Sequence, residues 1–218
     1  AAHGPDHVAG AAFALADAAG WAAGPWALLR TFVPRTADAL ARRWRGAAPA
    51  GRLELEGDAA QPLGFSLDEL ADHAQAFLSV VGLDRPAPLV LLLGHGAHVT
   101  NQPHVAAYEC GACGGNPGDV SARAMAQVLN DPRVRGMLAE RGAAIPEGTV
   151  FVGALHGTTD GTVEILDAVP ASHADVMRRL LADLADAARR SAEPSGRSRA
   201  ADWSQARPEL GHATVATA

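Results

Sequence analysis

The chain has 218 residues, a formal net charge of −6 and 48% hydrophobic residues, enough for one or two domains with a real core. All 18 basic residues are arginine, so a P-loop lysine and Schiff-base lysine chemistry are excluded, and an acidic chain without a basic, aromatic-studded stripe argues against nucleic-acid binding. Aromatics make up only 5%, so small and aliphatic side chains must build the core.

No charge-free apolar run of about 18 residues is present, which argues against a spanning helix. Two cysteines in one short motif cannot form a disulfide framework, and a reducing, cytoplasmic setting fits them better. Residue 1 is Ala and the first methionine is Met125, so the expectation is a piece of a longer protein, incomplete at both ends.

Residues 7–24 are Ala-rich and read as a helix. Residues 25–45 read as a second helix with Pro25 in its first turn and Pro34 breaking or kinking it. Arg42, Arg43 and Arg45 suit the negative end of that helix, and Trp21, Trp26 and Phe32 beside them allow a membrane-surface or partner-docking reading. Gly46 to Pro62 reads as a linker, with a short extended piece at Leu53–Leu55. Ser66 and Glu69 have capping-box spacing, opening a helix that runs to about Val81 and ends at Gly82.

Leu89–Leu93 reads as a strand buried on both faces, as in a parallel sheet. A loop follows from Gly94 to about Asp119, then helices near 120–129 and 132–141. Thr149–Leu155 reads as a second buried strand and Thr162–Leu166 as a third. Ala171–Arg190 carries helical apolar spacing, and 191–201 is polar and expected to be mobile. The domain expectation is a helical segment and linker over 1–61, an α/β zinc-site domain over 62–190 and a mobile segment over 191–218.

The chemistry gathers where the strands end. Gly94-His95-Gly96 and His156-Gly157-Thr158 both fall at carboxyl ends of strands, where open α/β sheets bind ligands. Cys110 and Cys113 follow 15 and 18 residues after His95. Imidazole and thiolate together suit zinc, so His95 and Cys110 are the candidate metal ligands. Cys113 reads as a small buried residue, because the second pair of a zinc ribbon is absent and the motif does not open a helix directly after a strand, as a redox pair would. His98 and His104 read as solvated loop residues. Asn101, Arg123, His156 and Asp160 form a secondary set: Asn101 as a turn former, Arg123 to orient an anion or carboxylate. Thr158 and Thr159 offer hydroxyls to a small oxyanion. No G-x-S-x-G elbow supports hydrolase chemistry.

Taken in order, Gly94-His-Gly96, Asn101-Gln-Pro103, Cys110-Gly-Ala-Cys-Gly-Gly115, Ala122-Arg123, Leu129-Asn130, Val134-Arg135, Ile145-Pro146, Thr149-Val-Phe151, His156-Gly-Thr-Thr-Asp160 and Asp202-Trp-Ser-Gln-Ala-Arg-Pro208 resemble the C-terminal part of the DabA-type inorganic carbon transporter subunit, over roughly residues 62–212. The resemblance implies a β-carbonic-anhydrase-like core and a Zn2+ held by Cys, Asp, His and Cys, with the His at His95 and the second Cys at Cys110. It further implies hydration of CO2 to bicarbonate at a zinc-bound hydroxide in the full-length protein, a membrane-embedded, proton-conducting partner subunit, and a peripheral place on the cytoplasmic side of the cell membrane.

The family's Cys-x-Asp-x-Arg strand end has no counterpart, since no cysteine precedes Cys110. Gln102, Ser121 and Leu210 stand where the family has Asn, Asn and Trp. The chain alone is therefore expected to bind zinc weakly and to be inactive as an anhydrase. Two other readings stand beside this one: a non-catalytic interaction module and a Cys110/Cys113 thiol redox protein.

Overall fold

The computed structural model describes residues 6–45, 52–57, 64–99 and 104–200. Helix α1 (Asp6–Phe32) and helix α2 (Pro34–Arg45) pack on each other, with the Trp26 and Trp44 rings stacked 5.7 Å apart. The expected boundary at Pro25 is not there: Pro25 lies inside α1, and the break comes at Val33. A proline disfavours helical backbone at the residue before it and sits well in a first turn, so Pro34 ends α1 and opens α2. Pro25 removes one hydrogen bond, which a 27-residue helix carries.

The extended piece at Leu53–Leu55 is present and is fastened at both ends. Leu53 N–H donates to Gln127 Oε1 (2.8 Å) and its carbonyl accepts from Gln127 Nε2 (2.6 Å). Phe65 N–H donates to Leu55 O at 2.8 Å.

Helix α3 (Leu67–Val80) starts as its capping box requires, with Ser66 N–H donating to Glu69 Oε2 (2.8 Å) and Glu69 N–H to Ser66 Oγ (3.3 Å). It ends at Gly82, whose φ of 66° is left-handed backbone that glycine adopts without cost. Leu83 N–H then reaches Leu78 O and Gly82 N–H reaches Ser79 O, the paired bonds of a Schellman ending.

Strand β1 (Leu89–Gly96), helix α4 (Asp119–Asn130), helix α5 (Pro132–Glu140), strand β2 (Val150–Gly157), strand β3 (Thr162–Ile165) and helix α6 (Ala174–Ala200) complete the described chain. The sheet order is β1-β2-β3. β1 and β2 are parallel, in register from Leu89↔Val150 to His95↔His156 and Gly96↔Gly157. β3 runs antiparallel to β2, so the partial parallel sheet expected from sequence is in fact mixed. The reason is length: only Thr158–Gly161 joins β2 to β3, a hairpin connection, whereas a parallel return needs a dozen residues or more. α6 also continues past Arg190 to Ala200.

Helices cover both faces of the sheet. Val90, Leu92 and Phe151 pack with the apolar sides of α3, α4 and α5. Leu89, Leu91, Val150 and Val152 pack with Met177, Leu180 and Leu181 of α6. Each fully buried Leu, Val or Phe contributes about 1.5–3 kcal/mol, so this sandwich fixes where β1 and β2 end. No helix among the described residues is long and apolar enough to cross a membrane.

Candidate metal centre

β1 delivers His95 and β2 delivers His156 as register partners at the carboxyl end of the sheet. The segment after β1 leaves the sheet, makes 3-10 turns at Val105–Ala107 and Gly111–Cys113, and returns to open α4. It docks on the strand it came from: Gly118 N–H donates to His95 O at 2.8 Å. The approach is tight because Gly94 has no side chain. A Cβ there would lie 2.3 Å from Gly118 O and 2.5 Å from Gly118 C.

The His95 ring folds onto the same loop, with Nε2 2.8 Å from the Tyr108 carbonyl oxygen. A carbonyl only accepts, so Nε2 carries the proton and Nδ1 of the neutral ring keeps its lone pair. An imidazole whose outer N–H is anchored on a backbone carbonyl is the usual arrangement of a metal-binding histidine. Tyr108 is two residues before Cys110, so one loop brings the imidazole and thiol into one neighbourhood.

The loop distinguishes its two thiols. Hydrogen bonds from the Cys113 side chain and then its backbone hold the Cys110 thiol below the usual thiol range. Cys113 is pushed up, first by its hydrogen bond to Cys110 and then by burial, although Ser121 opposes the shift by hydrogen-bonding to it. Cys110 is therefore the thiolate former, the state a metal requires. Both thiols are free and half-buried, so Cys113 is not the buried residue the sequence suggested.

Glu109, which residue type alone did not single out, precedes Cys110 directly and feels the His95 and His98 rings. Burial pushes its carboxyl up, against the Ala97 N–H and the nearby His95 and His98 rings, which lower it. Its Oε2 is buried and has no hydrogen-bond partner. The only signal in the sequence was its place directly before Cys110.

The described members of the secondary set, Arg123, His156 and Asp160, do not converge as a unit. Asn101 lies outside the described residues. His156 is half-buried beside His95. Asp160 Oδ1 accepts from Thr162 N–H (3.0 Å) and Thr162 Oγ1 (2.7 Å), holding the β2–β3 turn. Arg123 orients a carboxylate, as its type allowed, and that carboxylate is Asp167: Arg123 Nε donates to Asp167 Oδ1 at 3.1 Å, while Gly153 N–H donates to Asp167 Oδ2 at 2.8 Å.

The threonine hydroxyls are also engaged: Thr158 Oγ1 donates to Gly96 O (3.1 Å) and Thr159 Oγ1 to His98 O (2.6 Å). His98 is consequently held half-buried over Gly157 rather than solvated, while His104 is exposed. A cavity of about 600 Å³ lies elsewhere, toward the amino end of β2, lined by Arg123, Asn130, Arg135, Thr149 and Asp167.

The donor set therefore fits a soft divalent ion in part. His95 and Cys110 are suitable in type, and Glu109 adds a buried carboxyl oxygen that has no hydrogen-bond partner. No group of three or more His, Cys, Asp or Glu able to hold a metal occurs among the described residues.

The family model described as "Probable inorganic carbon transporter subunit DabA" matches residues 2–218. The chain belongs to the DabA family. Curated DabA proteins it resembles include one from Chloroflexus aurantiacus, 42% identical over 194 residues, covering 81% of this chain and 23% of the relative. One from Roseiflexus castenholzii is 43% identical over 182 residues, 75% of this chain and 22% of the relative. One from Dechloromonas aromatica is 40% identical over 220 aligned residues, 86% and 22%. Each carries the name probable inorganic carbon transporter subunit DabA. The chain thus spans less than a quarter of the length of these DabA relatives. No solved structure matches it.

Proposed function

We propose that this DabA chain carries the imidazole-and-thiolate half of a zinc centre, in a subunit that hydrates CO2 to bicarbonate during energy-coupled inorganic carbon uptake. One observation supports this above the others. His95, at the end of β1, and Cys110, biased toward thiolate, are brought together by one loop, which meets the His95 ring through the Tyr108 carbonyl and docks on β1 through Gly118 N–H. The remaining ligands, Cys and Asp in the DabA pattern, belong to the rest of the subunit, and with it the core is β-carbonic-anhydrase-like.

Zinc, when bound, supplies the Lewis acidity that makes hydroxide available at neutral pH. The chain's own residues do the holding. Tyr108 O fixes the His95 tautomer, the hydrogen bond from Cys113 holds the Cys110 thiol below its usual range, and Gly118 N–H ties the loop to the strand. The subunit works from the cytoplasmic side of the cell membrane as a peripheral protein, beside a membrane-embedded proton-conducting partner.

The test is zinc stoichiometry in the purified full-length subunit. About one zinc per subunit is expected, lost in both His95→Ala and Cys110→Ser and kept in Cys113→Ser. Full zinc in Cys110→Ser contradicts the reading.

The hydrogen bond between Cys113 and Cys110, with the two thiols shifted in opposite directions, favours a second reading, a thiol redox pair. That pair would form a reversible intramolecular disulfide in the metal-replete protein, and the zinc reading requires that it does not.

A further inference from the structure

The cavity of about 600 Å³ beside the amino end of β2 is lined by three guanidinium groups, those of Arg52, Arg123 and Arg135. Thr149, on its wall, lies seven residues before His156, about 23 Å along an extended chain, so the cavity is separate from the candidate metal centre. Two of the three arginines have carboxylates. Arg123 is paired with Asp167 at 3.1 Å, whose second oxygen is taken by Gly153 N–H. Arg52 leans on Asp131 at 3.6 Å, a carboxylate that already accepts from the Arg133 backbone and side chain.

Arg135 is held differently, by neutral oxygens. Its Nε donates to Leu129 O (2.7 Å), and its Nη2 donates to Thr149 O (2.7 Å) and Asn130 Oδ1 (3.2 Å). These bonds fix the plane of the guanidinium and occupy Nε and Nη2. Among the described residues Nη1 donates to no protein group. Nor is it a buried unmatched atom, so its hydrogens are open on the cavity that Arg135 lines. Burial pushes the guanidinium below its usual range, as it does for a half-buried cation that no anion answers. The other carboxylate on the wall, Glu147, is exposed and has no part in that shift.

An arginine fixed on one side with Nη1 spare is pre-organised for an oxyanion. The charge count selects the class: one guanidinium is unmatched, which fits a carboxylate better than a phosphate dianion. The cavity volume falls within the about 300–1,000 Å³ of small-molecule pockets. Leu166, Ala168 and Pro170 give it an apolar side for a short carbon chain.

We propose that this cavity binds a carboxylate-type monoanion, anchored by Arg135 Nη1, with the wall at Leu166, Ala168 and Pro170 taking the rest of a small organic acid. Bicarbonate shares the trigonal head and the single charge and is the other source of the same chemistry. The proposal stands independently of the zinc reading.

The experiment is titration calorimetry of the full-length subunit with sodium butyrate, with sodium bicarbonate and sodium chloride as parallel series at matched pH and ionic strength. Butyrate is expected to bind at one site and chloride is not. Arg135→Lys keeps a positive charge without the planar fork and should weaken butyrate about tenfold or more, the loss of one charge-assisted hydrogen bond. Arg135 also holds the end of α4 through Leu129 O, so Ala168→Trp is the second variant. It fills the cavity, leaves every Arg135 bond in place, and should abolish butyrate binding with zinc content unchanged. His95→Ala should bind butyrate as the parent does. Bicarbonate binding that is lost in the same two variants assigns the site to bicarbonate as well, and butyrate binding alone assigns it to organic acids. Equal heats from butyrate and chloride overturn the proposal. So does butyrate binding that survives Ala168→Trp, or that is lost in His95→Ala and so belongs to the metal centre.

Discussion

Gly94→Ala is the sharpest test of how the centre is assembled, because two principles oppose each other there. Gly94 lies in β1 and is not among the positive-φ glycines, so backbone preference alone says that alanine stabilises by about 0.4–1 kcal/mol through the unfolded chain. Sterics say the reverse. The new methyl would meet Gly118 O at 2.3 Å and Gly118 C at 2.5 Å, and these are backbone atoms that cannot rotate away. Ordinary contact begins at 3.4 Å, so loop and strand must part by about 1 Å, enough to break the Gly118 N–H to His95 O bond.

Overpacking costs about 1–3 kcal/mol and the lost hydrogen bond about 1 kcal/mol, leaving a net loss of about 2–3 kcal/mol. Urea unfolding should show a lower midpoint at unchanged slope, and zinc affinity should fall because the loop carrying Cys110 has moved from His95. Gly136→Ala is the control: it lies in α5 with nothing within 4 Å of a Cβ and should raise stability by up to about 1 kcal/mol. If Gly94→Ala behaves like Gly136→Ala, the docking argument is wrong.

Three further outcomes follow from named contacts. Cys113→Ala should raise the pH at which Cys110 becomes reactive, because the largest influence holding that thiol down is its hydrogen bond from Cys113; the pH profile of iodoacetamide labelling reads this, and an unmoved profile refutes it. Asp131 caps α5 by accepting Arg133 N–H at 2.9 Å, and its carboxyl is depressed chiefly by the Arg133 side chain. Asp131→Ala should cost about 1–2 kcal/mol near neutral pH; because the folded value is the depressed one, that difference is present above the ordinary carboxylate range and fades as pH falls through the folded value, which paired unfolding curves at two pH values would show. Arg123→Met or Asp167→Asn should each destabilise the chain by breaking a partly buried ion pair, with the double variant costing clearly less than the sum; additive losses in denaturant unfolding would mean the pair is not coupled.

Much of the fold was written in local signals. Ser66 and Glu69, Gly82, Pro132 after Asp131, and the apolar runs of β1 and β2 each carry their own physics within a few residues. Pro25 and Pro34 show where local rules compete, since either marks a boundary alone and only the surrounding helix decides. The direction of β3 is carried by the four-residue connection at Thr158–Gly161, too short for a parallel return, whereas the apolar runs of β1 and β2 speak only for their own pairing.

At the candidate site, residue type and strand-end placement single out His95 and Cys110, whose role as ligands rests with the zinc measurements. What sequence could not give was the use of backbone: the Tyr108 carbonyl that sets the His95 tautomer and the Ala97 N–H that holds Glu109 both act through groups every residue has. Arg123 was recognised as a carboxylate partner, yet Asp167 lies 44 positions away and no short spacing announces it. Asp160, Thr158 and Thr159 look like ligand groups in sequence because turn chemistry and binding chemistry use the same atoms.

The central claim is that His95 and Cys110 meet at one ion. A crystal structure of the zinc-loaded full-length subunit, with anomalous data on both sides of the zinc edge, tests it directly. One peak is expected about 2.0–2.1 Å from His95 Nδ1 and about 2.3 Å from Cys110 Sγ. A peak bonded to only one of them, or to neither, would contradict it.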